Sequence, residues 1–232
     1  MKKYQYFIAP TLLLVAFIVF TVLVKTVDMF YLSNGTYVGM WGMNEWVYSF
    51  ACNINKASFM KTVSDVLMYI SFVYAAGMVG IGVYQLIKAK SLKGVSLHLY
   101  ILYGAYAVMA VFFLMFEIVK INYAPNFLEL KASYPSSHVL FVSVIYLCSS
   151  LTATELLGVD GNRLIKGLLI TVSALVCVLI GFLRILAVDK HWFSDVVASY
   201  LLASFIVCLY HAVKRWFIPL EEKKEEETSV TE

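Results

Sequence analysis

Six stretches of this chain are apolar over too great a length to fold as anything but bilayer-crossing helices. They run at roughly 7–24, 66–87, 95–119, 137–157, 165–187 and 196–217, and each reaches the about 18 residues that a helix needs to cross the hydrocarbon core. Together they use up most of the 232 residues, and a composition of 61% hydrophobic and 14% charged residues excludes a soluble globule. The expected fold class is all-α, a polytopic membrane protein built as a six-transmembrane-helix bundle. No Pro/Gly/Ser linker divides the chain and no internal repeat is visible, so one membrane domain is expected over 1–218. Only the end changes character: "LEEKKEEETSVTE" is strongly charged and reads as a disordered cytoplasmic tail over 219–232.

Orientation follows from the basic residues of the short loops. Lys2 and Lys3 precede the first run, Lys88, Lys90 and Lys93 follow the second, Arg163 and Lys166 follow the fourth, and Lys214 and Arg215 close the sixth. With six crossings all of these share one side, which the positive-inside rule makes cytoplasmic, with both termini. The apolar run after "MKKYQY" has no small-x-small cleavage pattern behind it and reads as a retained anchor. The expected location is a cell membrane, multi-pass and bacterial. The long first loop, residues 25–65, holds "GTYVGMWGMNEWVY", whose Trp and Tyr suit an interfacial segment; its "NGT" sequon is read as a chance match.

Several features carry no chemistry. Cys52, Cys148, Cys177 and Cys208 lack metal-ligand spacing, and three of them sit inside apolar helices as small hydrophobes. "AAGMVGIG" offers close helix packing through Ala76 and Gly80. His98 and His211 lie at cytoplasmic helix ends without polar company and read as interfacial side chains. The net charge of +3 is explained by topology; no nucleic-acid patch stands out, and the oligomeric state is open.

What remains is polar material on the opposite face. "FEIVKINYAPNFLELKASYPSSH" and "GFLRILAVDKHWFSD" leave the third and fifth helices and carry Glu117, Lys120, Lys131, Ser136, Ser137, His138, Arg184, Asp189, Lys190, His191 and Asp195. Ionisable groups at bilayer depth are costly and tend to be there for function. His191 and Asp195 are four apart, so on one helix face the carboxylate can hold one ring nitrogen and leave the other free. An imidazole titrates near working pH, so His138 could supply a proton to a leaving oxygen. Arg184, the lysines and the backbone N–H groups of "PSSH" at a helix start suit an anion such as phosphate. "HxxxD" alone is weak evidence; its specificity comes from pairing with "PSSH" on the same face.

These strings resemble the type 2 phosphatidic acid phosphatase superfamily of integral membrane phosphatases. Its signatures are Lys, six residues, Arg-Pro; then Pro-Ser-Gly-His; then Ser-Arg, five residues, His, three residues, Asp. Here the second is "PSSH", Pro135 to His138, and the third is "LRILAVDKHWFSD" with Arg184, His191 and Asp195. "INYAP", "KASYPSSH" and "KHWFSD" are similar to a Gram-positive bacterial branch reading "INYRP", "EASYPSSH" and "GVHWFTD". The resemblance spans about 1–217 and implies His191 as a nucleophile forming a phosphohistidine, Asp195 as its partner and His138 as general acid. It implies Arg184, Ser136 and Ser137 as phosphate ligands, with no metal and no cofactor. The first signature is degenerate: Ala124 stands at its Arg and Glu117 at its Lys. The third is one residue longer between Arg184 and His191, and Leu183 replaces its Ser. Lys120, Lys131 or Lys190 is expected to supply the lost cation as a point charge.

Three function classes follow. The first is a lipid phosphate or pyrophosphate phosphatase on the outward face, acting on a membrane lipid as partner. The second is a weakened relative that binds a lipid phosphate headgroup without efficient turnover. A transporter is disfavoured, since no pair of broken apolar segments marks a midplane site.

Overall fold

The structure, a computed structural model, describes residues 3–32, 35–54, 56–125, 131–158, 162–187 and 190–218. The charged tail, Asp189 and the sequon's Asn34 lie outside them. Six helices are long and apolar enough to span a bilayer: α1 (Ile8–Thr26), α3 (Ala57–Ala89), α4 (Leu97–Ile118), α5 (Ser137–Leu156), α6 (Arg163–Leu186) and α7 (Phe193–Phe217). The expected all-α bundle is what the chain forms. Between α1 and α3 lie a two-residue antiparallel hairpin, β1 (Phe30–Tyr31) with β2 (Tyr37–Val38), and a seventh helix, α2 (Trp41–Cys52).

Helix α5 is the hub, packed against α3, α4, α6 and α7, while α1 lies along α7. Lipid tails are as apolar as leucine, so burial alone does not join helices in a bilayer; close packing and polar contacts do. Hydroxyls bridge α4 to α5 (Tyr106 Oη to Ser149 Oγ, 2.5 Å), α5 to α7 (Thr152 Oγ1 to Tyr210 Oη, 2.7 Å) and α5 to α6 (Ser150 Oγ to Ser173 Oγ, 2.7 Å). Each such contact contributes about 0.6 kcal/mol in a membrane interior. The close approach expected at Ala76 and Gly80 occurs a half turn further along. Gly80 has no neighbour within reach of an added Cβ, whereas a Cβ on Gly82 would collide with the Tyr103 hydroxyl.

Helix α3 begins well before its apolar run. Its 33 residues span about 50 Å, longer than the roughly 30 Å hydrocarbon core. The first turns, "ASFMKTVSD", therefore extend a polar helical end past the apolar layer. The interfacial segment expected in the first loop is α2, which lies on α6 and α7 with Trp46 and Phe50 exposed. Its anchor is Asn44, whose amide donates to Gly39 O (2.8 Å) and Ser194 Oγ (2.9 Å) while its oxygen accepts the Ser194 N–H (2.9 Å).

At the other end of the bundle His98 is not the isolated side chain the sequence suggested. Its Nδ1 lies 2.6 Å from Glu155 Oε2, and Lys214 Nζ contacts the other carboxylate oxygen, tying α4, α5 and α7 together.

Candidate functional site

Three chain segments close over the end of the bundle where α5 begins. Asn122 is fully buried; its amide donates to Asp195 Oδ1 (3.2 Å) and Ser194 Oγ (3.3 Å), and its oxygen accepts the Gly39 N–H (3.1 Å). Trp192 Nε1 donates to Tyr123 O at 2.6 Å, and the Ser136 N–H donates to Asp195 O at 3.2 Å. The loop after α4 is thus bolted to the start of α7 by bonds that neither loop can make alone.

These contacts surround a cavity of about 370 Å³. It gathers His138, His191, Arg184, Ser137, Lys131 and Lys190, all expected from the sequence, with Lys61, Asp65, Ala124 and Glu117. Four Lys and Arg side chains face two carboxylates there, a balance that favours an anion. Lys120 is not on its wall; its Nζ sits 5.8 Å from the centre of the Tyr123 ring. Ser136 and Asp195 are buried behind the wall rather than on it.

The geometry around His191 differs from a simple His–Asp pair. Its Nδ1 is 2.8 Å from Ser133 O and 3.8 Å from Asp195 Oδ2. A carbonyl only accepts, so Nδ1 carries the proton and Nε2 keeps a lone pair with no hydrogen-bond partner among the described residues. Asp195 works one step back: its Oδ2 accepts the Trp192 N–H at 2.9 Å in the first turn of α7, fixing the backbone that presents His191. Burial pushes His191 below the usual imidazole range, with the nearby Asp195 carboxylate pulling the other way. At neutral pH the ring is therefore neutral.

His138 is held by Asp65, which lies in the polar first turns of α3, ahead of its apolar run. Asp65 Oδ1 lies 2.8 Å from His138 Nε2 and 3.6 Å from an Arg184 guanidinium nitrogen, while Oδ2 lies 3.0 Å from Lys61 Nζ. Arg184 is only 3% exposed and donates to Ser64 Oγ at 3.1 Å. Four buried polar atoms nearby have no hydrogen-bond partner among the described residues: Ser133 Oγ, Ser136 Oγ, His138 Nδ1 and Arg184 Nε. The Ser136 side chain does not cap α5, so the first N–H groups of that helix are not taken up by a side-chain cap and are available to an anion. Such unpaired donors are costly unless a ligand completes them. Among the described residues no group of three His, Cys, Asp or Glu side chains could hold a metal ion.

The backbone matches a solved structure, the first transmembrane PAP2-type phosphatidylglycerolphosphate phosphatase from Bacillus subtilis. The TM-score is 0.64 at 17% identity, covering 91% of this chain and 98% of that one. The chain shares that fold. No protein-family model and no curated protein matches it in sequence. In this chain the described residues of "PSSH" and of the Arg184 to Asp195 stretch meet at one end of the bundle, around the same cavity. Lys61, Asp65, Asn44 and Asn122 were missed. The available signal was the i, i+4 spacing of Lys61 and Asp65 just ahead of an apolar run.

Proposed function

We propose that the protein is a membrane phosphatase that hydrolyses a lipid phosphate or pyrophosphate monoester through a phosphohistidine on the outward face. The observation that carries this reading is His191: Nδ1–H is fixed to Ser133 O, and Nε2 is left free on a ring that lines a cationic cavity. In the first step Nε2 attacks phosphorus, the P–O bond to the alcohol breaks, and His138 gives its proton to the leaving oxygen. In the second, water attacks the phosphohistidine, the P–N bond breaks, and a water proton returns to His138. Arg184, Ser137 and the open N–H groups of α5 hold the phosphoryl oxygens, and the chemistry requires no metal. Phe113, Phe116 and Leu140 share the cavity with the ionic groups, so one pocket suits both halves of an amphiphile.

A second reading rests on a specific observation. Ala124 and Glu117 both line the cavity, so the two cations missing from the first signature are missing from the site itself. A weakened relative that binds a lipid phosphate headgroup without efficient turnover is consistent with that wall.

Purified protein in lipid nanodiscs, offered phosphatidic acid, phosphatidylglycerophosphate and an isoprenyl pyrophosphate, separates the two. Phosphate release from any of them supports the phosphatase. Retention of the lipid without release supports the binding protein. Lys131→Cys, labelled by an impermeant thiol reagent in intact cells, tests the outward face; labelling only after lysis overturns it.

A further inference from the structure

The site needs a cation where its signature has lost one, and the wall offers Lys61, Lys131 and Lys190 besides Arg184. Lys131 and Lys190 stand on loops, whose side chains must be ordered at the moment of binding. Lys61 stands on α3, a helix anchored along α5 and α6. Its Nζ is held 3.0 Å from Asp65 Oδ2, and the same carboxylate reaches His138 Nε2 at 2.8 Å and an Arg184 guanidinium nitrogen at 3.6 Å. The ammonium is therefore one carboxylate's width from the two groups that must meet the phosphate. Its side chain is about half exposed, so it can turn from Asp65 to an arriving anion without unfolding its helix. Ala124, across the same cavity, has only a methyl group to offer.

Resting on the phosphatase reading, we propose that Lys61 binds a phosphate oxygen of the substrate in place of the Arg absent from position 124. No sequence signature marks this residue, because the cation has moved from the loop after α4 to the first turns of α3. Lys supplies a point charge rather than a two-pronged contact, so the relocation preserves attraction for phosphate but not the geometry of an Arg fork.

Orthovanadate, a mimic of the phosphoryl group in flight, tests this without requiring turnover. Its Kd is measured for the full chain in nanodiscs. Lys61→Ala is expected to weaken binding about tenfold or more, the usual weight of one charge-assisted contact, while Lys61→Arg keeps most of it. Ala124→Arg in the Lys61→Ala background is expected to restore binding, because the cation returns to its signature position. Lys61→Ala with Asp65→Asn removes both charges of the pair and is expected to remain weak. Recovery of binding in that double variant would mean that Lys61 only masks Asp65, and would overturn the proposal. Equal Kd values for parent and Lys61→Ala overturn it while leaving the phosphatase reading intact. A parent that binds no vanadate and releases no phosphate from any lipid overturns both. Retained vanadate binding by Lys61→Arg, with an unchanged melting profile for Lys61→Ala, shows that the alanine variant is folded.

Discussion

The two ends of the bundle each carry a histidine, a carboxylate and a cation from three different helices, and they are built to opposite purposes. At one end His98 and Lys214 flank the two oxygens of Glu155 as ion pairs, His98 Nδ1 and Glu155 Oε2 without hydrogen-bond geometry, and no member lines the cavity of about 370 Å³. At the other, His138, Asp65 and Arg184 sit on that wall beside Ser133 and His191, with buried polar atoms left unpaired. The first set ties helices together away from the cavity; the second faces the cavity, where the proposed function places a ligand. The residue types are nearly the same and both sets include buried polar atoms without a hydrogen bond among the described residues, so what distinguishes the two ends is the open cavity beside the second set.

The strongest way to break this comparison is to remove the free nitrogen. His191→Ala is expected to lower phosphate release from a lipid phosphate by about 10³ or more, as for a member of a catalytic unit. The pH profile sharpens the point. Because burial holds His191 below its ordinary value, Nε2 stays unprotonated at pH 7, and the acid limb of kcat/KM is expected only below about pH 6.5. Stability has the same sign: the unfolded imidazole takes up its proton first, so this group's contribution is intact above about pH 6.5 and is lost as pH falls toward the folded value. An acid limb above that value would argue that another group is being titrated.

A smaller change is expected from filling the gap in the wall. Ala124→Arg should raise kcat/KM by at least about tenfold, since a bidentate charge-assisted contact stabilises developing phosphoryl charge by roughly 2–4 kcal/mol. Glu117, on the same wall, can capture the new Arg, so Ala124→Arg with Glu117→Gln is measured beside it. No gain in either variant, with a brisk parent, would show that the wall already has its cation.

His138→Ala is expected to separate substrates by their leaving groups. An alkyl phosphate needs a proton on its departing oxygen and an activated aryl phosphate does not, so the alkyl ester should lose about tenfold more rate. Equal losses on the two would assign His138 to phosphate binding.

The smallest effect on turnover belongs to the closed end. Glu155→Gln should leave kcat/KM within about twofold, because the site is far away and shares no partner with it. It should instead lower the melting temperature, since His98 and Lys214 lose their common charged partner at a cost of about 1–3 kcal/mol. A fall in turnover without a fall in stability would erase the contrast between the ends.

The misses share a cause. An apolar window stops at charges, so the second run was read from about 66 and Lys61 and Asp65 fell in a loop. In the folded chain α3 starts at Ala57, because its polar first turns project beyond the apolar layer and face the cavity instead of lipid. His98 looks isolated in sequence for the converse reason: its partner Glu155, and the Lys214 that contacts the same carboxylate, are 57 and 116 residues away, and only helix packing brings them together. The spacing of His191 and Asp195 suggests a direct pair, but the hydrogen-bond partner of Nδ1 is the backbone carbonyl of Ser133, and no spacing rule reports a carbonyl from another loop.

The sequence by itself determined that six helices cross a membrane, because hydrophobic length is a local property that lipid reads directly. It also marked out "PSSH" and the Arg184 to Asp195 stretch, since reactive side chains at bilayer depth stand out against an apolar background. Only the tertiary structure decided which nitrogen of His191 is free, that Asp65 grips His138, and that Lys61 and Ala124 share a wall. Those facts depend on distances between helices, which are set by how side chains of remote segments pack.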